Sequence, residues 1–310
     1  MQYRERNHQF ESNQYTIEID IIDGCNARCI CCPRGLRVFP NTMKIMDFDL
    51  YKKIIDKAVT LNRKVVSLFS WGEPFLVRSL SKYCKYAYDN GMFVCLSSNL
   101  AMKINDIEEI LKYTGHLYIS VSGFSQEIYE ITHRNCKIDI VKENVKKIDQ
   151  LLKDGKINTE VEFRFFEYNY NRHEFEMWKE YLNDTKICLL MVDGNSTPRI
   201  NIDLLKKGKE PTEWFGKVRW HGEPYYDKIP NVYCGMLRKF TIDVNGNMVL
   251  CCEKAFDDKL IIGNFLDDDI YEMQERKLRS KQCDYCEVKD DFLNILRKSD
   301  KDLIKQHKWI

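Results

Sequence analysis

The sequence predicts an α/β protein, six strand–helix units in a row followed by a small region of β-hairpin and helix. Three observations carry this expectation. Strand-like runs at residues 15–22, 64–70, 92–97, 117–122, 158–166 and 186–192 alternate with helical patterns, and such alternation over about 180 residues predicts a parallel sheet. No glycine-rich phosphate loop follows the first run, which weakens the doubly wound alternative that strand and helix counts leave open. Late in the chain, RKFTIDVNGNMVL turns at Asn245 and Gly246, the strongest short hairpin signal.

Each element has a local reason. The run at 15–22 alternates and reads as a buried strand. Asp47 is suited to the N-cap of the helix in DFDLYKKIIDKAVTLN. A second helix ends at Gly91, an expected C-cap, and a third runs over 105–115. In the segment 139–154, apolar Ile140, Val141, Val145, Ile148, Leu151 and Leu152 recur at three-to-four spacing until Gly155 stops the helix. Another helix covers 174–182. Residues 195–233 break the rhythm: every proline after Pro74 but none of the six strands lies there, with Trp214, Phe215, Trp220, Tyr225 and Tyr226. The expected organisation is therefore a core over 1–194, a linker or lid over 195–233, and a small domain over 234–310.

Composition excludes several classes. Lys plus Arg is 48 against 47 for Asp plus Glu, a formal charge of +1, so there is no electrostatic footprint for nucleic acid or an anionic membrane surface. The apolar runs are far short of the ~20 residues a membrane span needs, and MQYRERNHQFESNQY is too polar for a signal peptide. Thirteen cysteines, an odd number, argue against a disulfide framework and for a reducing cytosol, so the protein is expected to be cytoplasmic.

The chemistry centres on DGCNARCICCPRG, which follows the first strand. Cys25, Cys29 and Cys32 place three thiolates on one short loop at C-x-x-x-C-x-x-C spacing. Three thiolates can hold three corners of a 4Fe–4S cube and leave the fourth iron open, whereas a structural zinc site wants four ligands. This loop resembles the signature of radical S-adenosylmethionine (radical SAM) enzymes. The resemblance implies a partial (β/α)6 TIM-like barrel with its site at the C-terminal ends of the strands. It also implies S-adenosylmethionine chelated through its amine and carboxylate to the open iron, and cleavage to a 5′-deoxyadenosyl radical. Cys31 stands where the family usually has an aromatic residue beside the adenine, and reads as a small buried thiol.

Further motifs agree in position. SWGEPFL after the second strand supplies Gly72, Glu73 and Pro74, resembling the family loop that holds the cofactor's amino group; HGEP at 221–224 is a chance repeat. Ser98 and Asn99 end the third strand and Ser122 the fourth; they can hydrogen-bond ribose hydroxyls or a carboxylate, or simply serve as turn residues. Arg134 sits in a segment resembling the one whose arginine pairs with the cofactor carboxylate. On the fifth strand, Arg164 shares a face with Glu162 and Phe166. If that face is inward, Arg164 is a candidate substrate or cofactor contact; a plain salt bridge to Glu162 is the alternative.

At the C-terminal end, Cys234, Cys251, Cys283 and Cys286, with Gly246, Gly263 and Asn264 between them, resemble the SPASM/twitch auxiliary-cluster domain in its shorter form, with four thiolates and one closed 4Fe–4S cluster. A zinc ribbon would use the same quartet. Cys252 follows a ligand and could return a hydrogen atom to a substrate radical; a spare buried thiol is the alternative. Cys84, Cys95, Cys136 and Cys188 read as core or incidental thiols.

The resemblance implies an oxidoreductase that takes a hydrogen atom from its substrate and receives its electron from a flavodoxin- or ferredoxin-type donor. About fourteen residues precede the first strand, too few for the leader-binding domain common in peptide-modifying members. The expected substrate is therefore a small polar molecule, with oxidation of a carbinol of an (amino)sugar or aminocyclitol favoured. Sugar epimerisation, peptide modification and a two-cluster electron-transfer protein are the alternatives.

Overall fold

The computed structural model describes residues 16–30, 32, 34–35, 40–168, 170–194, 239–252 and 260–280. Strand β1 (Thr16–Ile19) is buried on both faces, as a central parallel strand must be. Two short strands, β2 (Ile22–Asp23) and β3 (Lys44–Ile45), pair antiparallel and pinch together the base of the cysteine loop. Helix α1 (Phe48–Thr60) starts where expected, with the Asp47 carboxylate accepting from the Asp49 and Leu50 amides, and buries Tyr51, Ile54, Ile55 and Ala58 on one face.

The rhythm continues through β4 (Val65–Ser67), a 3₁₀ turn at Pro74–Leu76, α2 (Leu80–Asp89), β5 (Phe93–Ser98), α3 (Ile107–Leu111) and β6 (His116–Val121). Then come α4 (Gln126–Thr132), α5 (Ile138–Lys153), β7 (Glu160–Glu167), α6 (Phe175–Tyr181) and β8 (Cys188–Asp193). Gly91 and Gly155 take positive φ after α2 and α5, as their C-cap roles require. Helix α3 is shorter than its sequence pattern. Helix α4 was not foreseen: QEIYEIT is too short to show a period, and it stands on a cap in which Ser125 accepts from the Ile128 amide.

β1, β4, β5, β6, β7 and β8 lie side by side in that order, each parallel to the next. These are the six expected strands, and they form a partial TIM-like barrel. The hairpin forms as expected from β9 (Phe240–Ile242) and β10 (Asn247–Val249), with Gly246 at φ +85, and is followed by β11 (Ile261–Asn264) and α7 (Ile270–Leu278). β9 pairs in parallel with β1, opposite Ile17, Glu18 and Ile19. The C-terminal hairpin thus extends the barrel sheet on its first edge, and β8 and β11 are the outer strands among the described residues.

Register sorts the two faces. Ile17, Ile19, Val66, Val94, Leu96, Leu117, Ile119, Val161, Phe163 and Phe165 point to the helices and are buried. The aligned partners Thr241–Glu18–Ser67–Cys95, Ser97–Tyr118–Glu162 and Ser120–Arg164 share the opposite, concave face. That face is strongly polar, and it is the inward one.

Candidate active site

The cysteine loop is held by its backbone and by asparagines. Cys25 N donates to Asn41 Oδ1 at 2.8 Å, and Asn41 Nδ2 returns a bond to Cys25 O at 3.2 Å. The amides of Arg28 and Ile30 donate to the carbonyls of Arg134 and Thr132 at 2.9 and 3.2 Å, and Asn135 Nδ2 reaches Asn26 O at 2.8 Å. Cys32 N bonds Cys29 O at 3.2 Å. A Cβ on Gly35 would lie 2.2 Å from Cys29 O, so only glycine lets the chain close back over the loop.

Asn99, at the end of β5, clasps this loop to the sheet. Its Nδ2 donates to Asn26 Oδ1 at 3.0 Å and points at Cys25 Sγ at 3.8 Å, and its Oδ1 accepts from the Ala101 amide at 2.8 Å. Glu73 is buried. Its carboxylate accepts from Ser98 Oγ at 2.8 Å, the Asn99 amide at 2.9 Å and the Phe75 amide at 3.2 Å, and burial pushes its pKa up to about 7. The Glu73 side chain therefore ties the GEP loop to the end of β5. Pro74 is buried and opens the 3₁₀ turn.

Two residues that sequence reasoning missed complete the floor. Asp20 accepts from the amides of Trp71 and Gly72 at 3.2 and 3.0 Å. A Cβ on Gly72 would meet Ile22 O at 2.1 Å and Asp20 Oδ1 at 2.7 Å. Arg34, only 2% exposed, donates to Trp71 O and Pro40 O at 2.8 Å each and pairs with Asp23 at 2.6 Å. Arg34 thus binds the end of the cysteine loop to the GEP loop; its place two residues after Cys32 is the only sequence signal that pointed there.

Ser122 is fully buried, with its Oγ 2.6 Å from His133 Nδ1. His133 stacks on Tyr129 with ring centroids 4.8 Å apart, and burial lowers its pKa to about 4, so it is neutral. Arg134 is exposed, and its carbonyl anchors the cysteine loop.

On the concave face, Arg164 Nε donates to Glu162 Oε1 at 2.5 Å, and its guanidinium carbon sits 3.7 Å over the Tyr118 ring. Across the lumen, buried Glu18 pairs with Lys239, while Glu18 Oε1 and Thr241 Oγ1 have no hydrogen-bond partner among the described residues. Cys251 and Cys252 are partly buried after β10, and Cys252 lies within electrostatic reach of Glu18 and Lys239. Cys84, Cys95 and Cys136 are buried and Cys188 is exposed. Cys31, Cys234, Cys283, Cys286 and the segment 195–233 with its aromatics lie outside the described residues.

The loop fits an iron–sulfur cluster. Amides are aimed at its sulfurs: Ala27 N reaches Cys25 Sγ at 3.4 Å, and the backbone of Gly35 and Arg34 bonds Cys32. Burial pushes both thiols up, so thiolates here need a metal in place of the proton. Among the described residues no three His, Cys, Asp or Glu side chains converge on a single metal ion.

The family model of the radical SAM superfamily matches residues 19–160, from the end of β1 to the start of β7. The chain is 30% identical over 118 residues to the protein YfkA of Bacillus subtilis (strain 168), covering 36% of this chain and 31% of that protein. It is 26% identical over 113 residues to the AdoMet-dependent heme synthase of Methanosarcina barkeri (strain Fusaro / DSM 804), covering 36% and 32%. These matches span about a third of either relative's length. Among solved structures, SuiB of Streptococcus suis bound to S-adenosylmethionine has a TM-score of 0.61 at 14% identity, covering 93% of this chain and 75% of that one. The structure of anSMEcpe with bound AdoMet and Cp18Cys peptide has a TM-score of 0.53 at 15% identity, covering 87% and 85%. At such identities the likeness is one of fold, and it extends past the family match into the C-terminal hairpin region. The three-cysteine loop, the GEP turn and the parallel strands β4, β5 and β6 all lie in the stretch, residues 19–160, that matches the radical SAM superfamily.

Proposed function

We propose that this protein is a radical SAM oxidoreductase acting on a compact polar substrate, with oxidation of a carbinol of an (amino)sugar or aminocyclitol as its reaction. A 4Fe–4S cluster on Cys25, Cys29 and Cys32, with S-adenosylmethionine, would supply the electron that splits the sulfonium bond and the 5′-deoxyadenosyl radical that removes hydrogen. Cys234, Cys251, Cys283 and Cys286 are proposed to hold a second, auxiliary 4Fe–4S cluster, and a flavodoxin- or ferredoxin-type protein to deliver the electron.

The observation that carries the substrate class is the polarity of the concave face. Glu18, Ser67, Ser97, Tyr118, Ser120, Glu162 and Arg164 share it by register, and Glu18 Oε1 is buried without a hydrogen-bond partner among the described residues. Orphaned polar groups cost free energy unless a polar ligand meets them. The chain's own task is to hold the substrate against that face and keep water out. Asn99 and Arg34 fix the cysteine loop over the strand ends, and the carbonyls at the GEP turn, with the Glu73 carboxylate occupied, remain to receive the cofactor's amino group.

The test offers deuterated sugars, aminocyclitols and peptides to the reconstituted enzyme with a strong reductant and follows deuterium into 5′-deoxyadenosine. A ketone product with one cofactor consumed per turnover supports the reading, and label transfer from peptides alone overturns it. Epimerisation is the second reading, favoured by Cys252 beside the lumen pair Glu18 and Lys239. Its mark is inverted stereochemistry with solvent deuterium in the product, abolished by Cys252→Ala.

A further inference from the structure

Arg164 is held in an unusual way for an ion-paired arginine. A guanidinium that serves only a neighbouring carboxylate gains most by forking onto it through two nitrogens. Here Glu162 takes Nε alone, at 2.5 Å, and the flat face of the guanidinium lies on Tyr118 at 3.7 Å. Tyr118 is itself fixed, stacked on His116 at 4.1 Å and met edge-on by Phe69 at 6.1 Å. Its ring cannot swing away and take the arginine with it.

Two contacts therefore set the guanidinium's plane and direction, and both use parts of it that a bound anion would not need. The terminal nitrogens, Nη1 and Nη2, have no hydrogen-bond partner among the described residues. Arg164 is a third exposed, in the middle of a face whose flanking residues are otherwise buried or half-buried. Its aligned neighbour on β6 is Ser120, whose hydroxyl has no partner among the described residues and lies on the same face. The adjacent strand on the other side contributes Leu190 at that level, so no second acceptor from β8 competes for the fork.

We propose that Arg164, with Ser120 beside it, is the carboxylate-recognition point of the substrate site, so that the sugar or cyclitol substrate carries a carboxylate group. This rests on the reading of the barrel as a radical SAM site and specifies its substrate class. Glu162 acts as a positioning residue: it holds Nε, and with Tyr118 it presets the fork before the ligand arrives. A planar fork with two parallel donors matches a carboxylate, and an ammonium group at the same place would meet the carboxylate only as a point charge.

The experiment uses the reconstituted holoprotein with S-adenosylmethionine bound, acetate as the probe and acetamide as its neutral control, read by saturation-transfer NMR. Acetate is expected to bind the native protein, with apparent affinity falling roughly tenfold or more in Arg164→Gln and partly restored in Arg164→Lys, since hydrogen bonds to charged groups are worth that much. Acetamide is expected to show no such dependence, and the affinity for S-adenosylmethionine is expected to be retained in both variants. Equal acetate binding in native and Arg164→Gln protein, or none in either, overturns the proposal. So does weakened S-adenosylmethionine binding in both variants, which would make Arg164 a partner of the cofactor's own carboxylate. Failure of the native enzyme to cleave S-adenosylmethionine would overturn the functional reading instead, and the acetate result would stand apart from it.

Discussion

Glu73 accepts three hydrogen bonds and Asp20 two, and each lies with its carboxylate wholly spent on neighbouring loops. Ser122 and His133 are similarly spent on each other. Buried polar groups must be satisfied, and here the satisfaction is what shapes the strand ends around the cysteine loop. His133 offers a pH test. Its pKa falls from an unfolded value near 6.5 to about 4 because burial disfavours its charged form. A base depressed in this way binds fewer protons folded than unfolded. Its contribution to stability is complete above about pH 6.5 and is lost as pH falls toward 4, by up to about 3 kcal/mol. Urea unfolding of native and His133→Gln protein at pH 7.5 and pH 5 should show the native protein losing more stability on acidification than the variant. An equal loss in both would mean that His133 does not report on this window.

Among the elements, the cysteine loop is built like a clasp. The two-residue ladder of β2 and β3 closes its base, the 132–134 carbonyl run receives two of its amides, and Gly35 lets it fold back onto Cys29. Gly35→Ala should therefore deprive the loop of its cluster, read as loss of roughly half the iron of a two-cluster protein. Gly91→Ala is the contrasting variant: its Cβ meets nothing within 4 Å, and only its φ of +77 objects. That variant should keep full iron and lose about 1 kcal/mol in thermal or urea unfolding. Similar iron loss in both would mean that the close approach at Cys29 is not what matters.

For the whole molecule, the six parallel strands put one polar concave face beneath the loops that follow β1, β4 and β5, and β9 seals the first edge against β1. No helix among the described residues is long and apolar enough to cross a membrane. The proposal of two clusters predicts about eight irons per chain after anaerobic reconstitution. Replacing Cys25, Cys29 and Cys32 together by alanine should leave roughly half of that and abolish reductive cleavage of S-adenosylmethionine. Four irons accompanied by one zinc would show that the second quartet is a zinc site.

Strand and helix order, the cysteine triplet, the Asp47 cap and the Asn245-Gly246 turn were all legible in the sequence, because each depends on residues within a few positions of one another. The face that Arg164 shares with Glu162 was legible from alternation, and so was the choice between an ion pair and a ligand contact; the structure has the ion pair through Nε and leaves the fork open. Asp20, Arg34 and Asn171 were not legible. Asp20 meets Gly72 fifty-two positions on, Arg34 meets Trp71, and Asn171 Nδ2 meets Ser122 O at 2.7 Å. Nothing in local composition marks a polar residue whose partner arrives from a distant loop. The docking of β9 on β1 was equally hidden, since a hairpin's sequence specifies its own turn and not the edge it joins. Local covalent geometry and side-chain pattern determined the elements and marked the candidate cysteines; only burial in the folded sheet decided which polar groups are used up in holding it and which remain to bind.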